Sequence, residues 1–273
     1  MMMTFEHFNF QITNHIAHVE LNRPEKANSL NEKAWEELQA AMLYCDENPE
    51  VRVVVLSAAG EKLFSAGIDL SMLMSTGQKT HDPCEGRKRE KFRKFLLQLQ
   101  DAVSAAEKCS KPVISAIHGG CIGGGVDIIS ATDMRYCTAD AYFCIKEIDM
   151  GMVADIGTLQ RLPKLISDGL VRELAYTGRN LTATEAEKYG LVNRVFADKT
   201  SMMTAVMDIA ATIASKSPLS IRGTKQNLIY ARDHSVNESL EYIANWNAAF
   251  FYSNDLTAAF QAAMTKQEAQ FAS

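Results

Sequence analysis

The sequence predicts an α/β fold. Three observations carry that prediction: two continuous apolar runs, RVVVLSA (52–58) and KPVISAIHG (111–119), of the kind found in strands buried on both faces; a glycine-bearing turn after each; and helix signals between them.

The elements follow in order. Residues 8–21 predict two short strands around a turn at Asn14, with Ala17, Val19 and Leu21 alternating on one face of the second. Asn31 predicts the N-cap of a helix that runs to about Asp46 and is stopped by Asn48-Pro49. The buried strand RVVVLSA comes next. Residues 75–91 (STGQKTHDPCEGRKREK) are polar and carry Gly, Pro and charge, which predicts a mobile surface loop leading into a helix from about Arg89 to Lys108. KPVISAIHG then opens a second unit: strand, glycine-rich turn, a helix through Ser130, and strands near Met134–Cys137 and Tyr142–Ile145.

After LVNRVF (191–196) the composition turns helical. Met202, Val206, Ile209 and Ile213 fall at helical spacing, Pro218 opens a second helix, and Ser253-Asn254-Asp255 caps a last one beginning at Leu256. The expected division is a core over residues 1–199 and a helical region over 200–273. The latter is rich in Ala and aromatic residues (Trp246, Phe250, Phe251, Phe260), which suits either a subunit interface or packing back on its own core.

With 273 residues, 47% of them hydrophobic, the chain can bury a sizeable interior. A formal charge of -5 gives no global pull toward nucleic acid or an anionic membrane. Six scattered cysteines (Cys45, Cys84, Cys109, Cys121, Cys137, Cys144) contain no CxxC pair, so their spacing indicates neither a metal site nor a disulfide framework. No apolar stretch approaches the length of a membrane span, and no targeting segment is evident. The expected location is the cytoplasm.

The chemistry is carried by two turns and three acids. In FSAGIDL (64–70), Gly67 permits a backbone conformation that frees the N–H groups of Ala66 to Asp69 for a ligand. In HGGCIGGGVD (118–127), Gly123-Gly124-Gly125 ends a strand and starts a helix, where unpaired N–H groups favour negative charge. Two such groups meeting at one point form an oxyanion hole. Each turn alone also suits phosphate binding or tight helix packing, although GCIGGG lacks the Lys-Ser/Thr of a P-loop. Asp127, Glu147 and Asp155 then supply carboxylates for proton transfer. His118 is expected to pack beside its turn, Cys121 and Cys144 to be core residues, and the basic run Arg87 to Lys94 to form a solvated helix face or to contact phosphates.

NRPEKANSLN (22–31), VVVLSAAGEKLFSAGIDL (53–70), KPVISAIHGGCIGGGVDIISATDMRYC (111–137) and LTATEAEKYGLVNRVF (181–196) together resemble the crotonase, or enoyl-CoA hydratase/isomerase, superfamily. The resemblance implies a spiral of ββα units, a helical C-terminal trimerisation region, and a homotrimer or homohexamer. It also implies an acyl-CoA thioester substrate, with no separate cofactor, whose carbonyl oxygen lies between the N–H groups of Ile68 and Gly124, with Ala66, Gly67, Asp69 and Gly125 lining the site. Hydratases of the superfamily carry Glu at the positions matched by Asp127 and Glu147. The triple Asp127, Glu147 and Asp155 resembles the branch that isomerises 3,5-dienoyl-CoA. Enoyl-CoA hydratase or Δ3,Δ2-enoyl-CoA isomerase chemistry would need Glu147 without Asp155, and some members of the fold bind RNA or serve as inactive assembly partners.

Overall fold

The first hairpin is made by Asn14 and His15, both with positive φ (50° and 66°), which joins β1 (Phe8–Thr13) to β2 (Ile16–Leu21) in the tight turn whose twist suits paired strands. The computed structural model describes residues 3–272. Helix α1 (Glu32–Glu47) starts where Asn31 accepts a hydrogen bond from the Ala34 N–H at 2.9 Å, as its sequence predicts. Strands β3 (Val53–Ala58) and β4 (Leu63–Ser65) are followed by α2 (Leu70–Lys79) and α3 (Glu85–Lys108). Then come β5 (Val113–Ile117), β6 (Gly120–Ile122) and α4 (Gly124–Ser130), and after them β7 (Met134–Thr138) and β8 (Tyr142–Cys144). A short 3-10 turn over Glu147–Met150 precedes α5 (Thr158–Arg161) and α6 (Asp168–Thr177). The chain continues through β9 (Leu181–Thr182), α7 (Ala183–Lys188) and β10 (Arg194–Phe196) into α8 (Lys199–Ala214), α9 (Pro218–Asp233), α10 (Val236–Phe250) and α11 (Asn254–Thr265).

The described strands form two sheets, one ordered β1-β2-β3-β5-β7-β10 and the other β4-β6-β8-β9. Successive pairs β3/β4, β5/β6 and β7/β8 each send one strand to each sheet before the chain turns into helix. That is a ββα spiral, and the α/β expectation holds. Pairing is parallel except at β1/β2 and β8/β9. All residues of β3 and β5 are buried, which accounts for their unbroken apolar runs. The main core packs Trp35, Leu38 and Met42 of α1 with Val103 and Ala106 of α3 and Ile129 of α4; a second cluster lies under α8.

The segment expected to be a mobile loop is mostly helical: only residues 80–84 link α2 to α3. Asp69 drives the difference. Its carboxylate caps α2 by accepting from the Ser71 N–H at 3.0 Å, and Thr76 and Thr80 turn their hydroxyls back onto carbonyls of the same helix. Most of the polar residues that read as a loop are therefore helix surface, while Thr76 and Thr80 are buried. In α9, α10 and α11, Leu228, Leu240, Ile243, Phe250, Phe260 and Met264 are exposed.

Candidate active site

Strand β4 ends at Ser65, and the turn after it commits most of its amides. The Ala66 N–H donates to Ala27 O (3.0 Å), Gly67 to Ser65 Oγ (3.1 Å), and Asp69 to Leu30 O (3.0 Å). Of the four amides expected to face a ligand, only that of Ile68 finds no acceptor among the described residues. Gly67 makes the turn possible: its φ is +82°, and a Cβ there would sit 2.7 Å from Ile122 O and 2.9 Å from Gly124 N.

The second turn is built from Gly123, with φ +51°, whose carbonyl accepts from the Val126 and Asp127 N–H groups. Gly124 opens α4, and its own N–H has no acceptor among the described residues. The two free amides are neighbours. A Cβ added to Gly124 would lie 3.6 Å from Ile68 N and 3.1 Å from the Trp35 ring, so close approach is open only to glycine.

Both residues line a cavity of about 650 Å³ with Arg23, Lys26, Lys146, Glu147 and Met152. Ala66 and Asp69 also line it, as expected. Gly67 and Gly125 do not. They stand behind the wall, and a Cβ on Gly125 would press on Ser65 Cβ at 3.2 Å, so this glycine lets α4 pack on β4. The Asp69 carboxyl is held below its ordinary range, chiefly by Ser71 and also by Ser29 and Arg23. Its side chain caps a helix and has no free oxygen for catalysis.

The three acids differ in setting. Asp127 is fully buried in the first turn of α4; Oδ1 accepts from the Thr158 N–H at 2.6 Å, while Oδ2 has no hydrogen-bond partner among the described residues. Burial pushes its carboxyl up to about 7, with help from Glu147 and then Asp155. Glu147 is half-buried and lines the cavity; a Cβ on Gly123 would lie 3.2 Å from its Oε1, and Oε2 is buried without a partner. Burial raises it, and the charge of Asp155 raises it further. Asp155 is solvent-exposed yet loses enough surrounding water to be raised too.

Asp155 does not cap a helix, since Gly157 precedes α5. Its carbonyl accepts from Gln100 Nε2 at 2.7 Å. Neither Asp127 nor Asp155 forms the wall of the cavity that contains Glu147: Asp155 stands on a separate cleft with Gln100, Ser104, Gln160 and Arg161. The acids are thus electrostatically joined but face different spaces.

His118 is buried and neither ring nitrogen has a partner among the described residues; burial and Lys199 push it down to about 4. Cys121 and Cys144 are raised by burial, opposite to what a nucleophilic thiolate needs. The run Arg87 to Lys94 lies outside the cavity, with Arg87 and Lys91 paired to Asp82. The cations that do line the cavity, Arg23, Lys26 and Lys146, were not singled out from the sequence. Arg23 and Lys26 sit within the NRPEKANSLN motif, but charge in a loop does not say which wall it forms.

The enoyl-CoA hydratase/isomerase family profile matches residues 11–273. The mitochondrial Δ(3,5)-Δ(2,4)-dienoyl-CoA isomerase of Mus musculus is 49% identical, over 93% of this chain and 78% of that protein. The peroxisomal Δ(3,5)-Δ(2,4)-dienoyl-CoA isomerase of Arabidopsis thaliana is 45% identical, over 94% of this chain and 92% of its own length. Among solved structures, an enoyl-CoA hydratase from Bacillus anthracis superposes with a TM-score of 0.88 at 29% identity, covering 98% of this chain and 99% of that one. The two isomerases are mitochondrial and peroxisomal, which overturns the cytoplasmic location expected from the sequence. Cysteine spacing and net charge look alike in a reducing cytoplasm and in an organelle lumen, so composition had no power to separate them.

Proposed function

The chain belongs to the enoyl-CoA hydratase/isomerase family, and we propose that it isomerises 3,5-dienoyl-CoA to 2,4-dienoyl-CoA within the β-oxidation of unsaturated acyl chains. One observation carries the reading: Glu147, a carboxyl with a partnerless buried oxygen that burial and the charge of Asp155 raise above its ordinary range, lines the same cavity as the two free amides of Ile68 and Gly124.

The chemistry follows from charge. Removing a proton from C2 of a 3,5-dienoyl thioester leaves a carbanion delocalised over the thioester oxygen and out to C6. The Ile68 and Gly124 N–H groups receive the oxygen as it becomes negative, each contributing about 3 to 4 kcal/mol in the transition state. Glu147, as carboxylate, takes the C2 proton. Asp155 is off the wall of that cavity, so the scheme requires the acyl chain to run past Glu147 to it; there Asp155, as acid, gives a proton to C6, and both double bonds shift by one position. Asp127 is not in reach of the cavity; its part is electrostatic, keeping the group from holding three negative charges at once.

Loss of surrounding water raises all three carboxyls, and the charge of Asp155 raises Glu147 and Asp127 further, which disfavours three negative charges at once. Lys26 and Lys146 suit the phosphates of CoA at the mouth of the cavity. The apolar surface of α9 to α11 suits a trimer, or a hexamer of two trimers. The test is ultraviolet detection of the conjugated 2,4-dienoyl product from 3,5-dienoyl-CoA, run beside hydration of 2-enoyl-CoA. Preference for the first substrate supports the proposal. Hydration alone would make the protein a hydratase.

A further inference from the structure

Each turnover of the proposed isomerisation leaves its two acids in exchanged states: Glu147 holds the proton from C2, and Asp155 has given one to C6. Another cycle needs Asp155 protonated and Glu147 ionised again. Resting on the isomerase reading, we propose that the polar cleft beside Asp155 is a proton-exchange route, through which solvent reprotonates this acid independently of the substrate cavity.

The cleft has a volume of about 370 Å³ and is lined by Gln100, Ser104, Gln160, Arg161 and Lys164 with Asp155. At roughly 30 Å³ for each water, it has room for on the order of ten. It shares no lining residue with the substrate cavity, so solvent in it reaches Asp155 from the side away from Ile68 and Gly124. Its wall is well held. Gln100 Nε2 donates to the Asp155 carbonyl, Arg161 bonds Ser104 Oγ and Glu107 at 2.9 Å each, and Arg232 of α9 pairs with the same Glu107.

Glu147 is placed differently. Apart from the substrate cavity it borders a space of about 310 Å³ that is largely apolar, with Ile145, Ile148, Val153 and Leu159, and carries Asp168, Arg172 and Tyr176 on its wall. Its proton leaves through the substrate cavity once product has gone. The balance closes: the Asp155 carboxylate takes a proton from hydronium or a buffer acid, releasing water or the buffer base, and Glu147 later returns one proton to solvent.

The experiment uses the full chain with 3,5-dienoyl-CoA in D2O. The proposal expects about one deuterium at C6 per product molecule, because the C6 proton comes from solvent-exchanged Asp155. Protium at C6 would mean that the C2 proton passes directly from Glu147 to Asp155, and would overturn the proposal. A second arm uses Gln160→Phe, an exposed position on the cleft, to obstruct it. The single-turnover rate should hold while the steady-state rate falls about tenfold, since only resetting is impeded. An equal fall in both rates, or no change in either, contradicts the route. Failure of the unmodified protein to convert 3,5-dienoyl-CoA would instead remove the isomerase reading itself.

Discussion

Asp127 Oδ1 accepts a hydrogen bond from the Thr158 backbone N–H at 2.6 Å, so a buried acid of the glycine turn's helix ties down the loop that carries Asp155. The other oxygen of Asp127 has no partner, and this carboxyl is pushed up to about 7.

Removing the acceptor and removing the charge should therefore separate. Asp127→Ala leaves the Thr158 N–H buried and unpaired, at a cost of about 1 to 3 kcal/mol. Asp127→Asn keeps an acceptor and should lose less than half as much. Urea unfolding of the two variants checks this; equal losses would show that the bond does not hold the loop.

Gly67→Ala should fail on two counts. Its φ of +82° strains any L side chain, and the added Cβ would meet Ile122 O at 2.7 Å, moving the Ile68 amide from its neighbour at Gly124. Turnover should fall by about two to three decades, the scale of a lost oxyanion donor. Steady-state kinetics on 3,5-dienoyl-CoA reads the effect directly, and a KM change with kcat intact would argue against it.

The pH dependence has a definite sign. Activity needs Glu147 ionised and Asp155 protonated, so kcat/KM falls below the apparent value of the first and above that of the second. Both are raised, Glu147 by burial and Asp155's charge, Asp155 by burial, so both limbs should lie above the ordinary carboxylate range. The two values belong to the coupled pair rather than to single residues. Asp155→Asn should abolish the alkaline limb of whatever activity remains.

His118 predicts a stability effect remote from catalysis. Its folded value, about 4, is below the ordinary 6.5, so between those values the unfolded chain binds a proton that the folded chain refuses. Stability is unaffected by this group above pH 6.5 and falls as pH drops from there to 4, by at most about 3 kcal/mol. Thermal unfolding of the protein and of His118→Leu across that window should show a flatter profile for the variant.

Much of this was readable from single residues with local consequences. Asn14 marked the hairpin, Asn31 capped α1, Pro218 opened α9 and Ser253 capped α11 with its hydroxyl on the Leu256 N–H. The spacing of Ile68 from Gly124 could be matched as motif but not as distance, since two turns on neighbouring strands meet only through sheet pairing of β4 with β6. Those strands have three residues each, too few for periodicity to appear. Helix α2 was hidden because its second half, Ser75 to Lys79, is polar and contains Gly77, and the cap that starts it depends on where Asp69 points. The separation of Asp155 from the wall containing Glu147 was also invisible: chain spacing says that two acids are near, not which cavity each one faces.

The central claim is that Glu147 and Asp155 act on opposite ends of one dienolate. Asp155→Asn incubated with 3,5-dienoyl-CoA in D2O tests it most directly. The account predicts deuterium exchange at C2, carried by Glu147, with formation of the 2,4-diene reduced about a hundredfold, and neither process in Glu147→Gln. Diene formation by Asp155→Asn at the rate of the unmodified protein would contradict it.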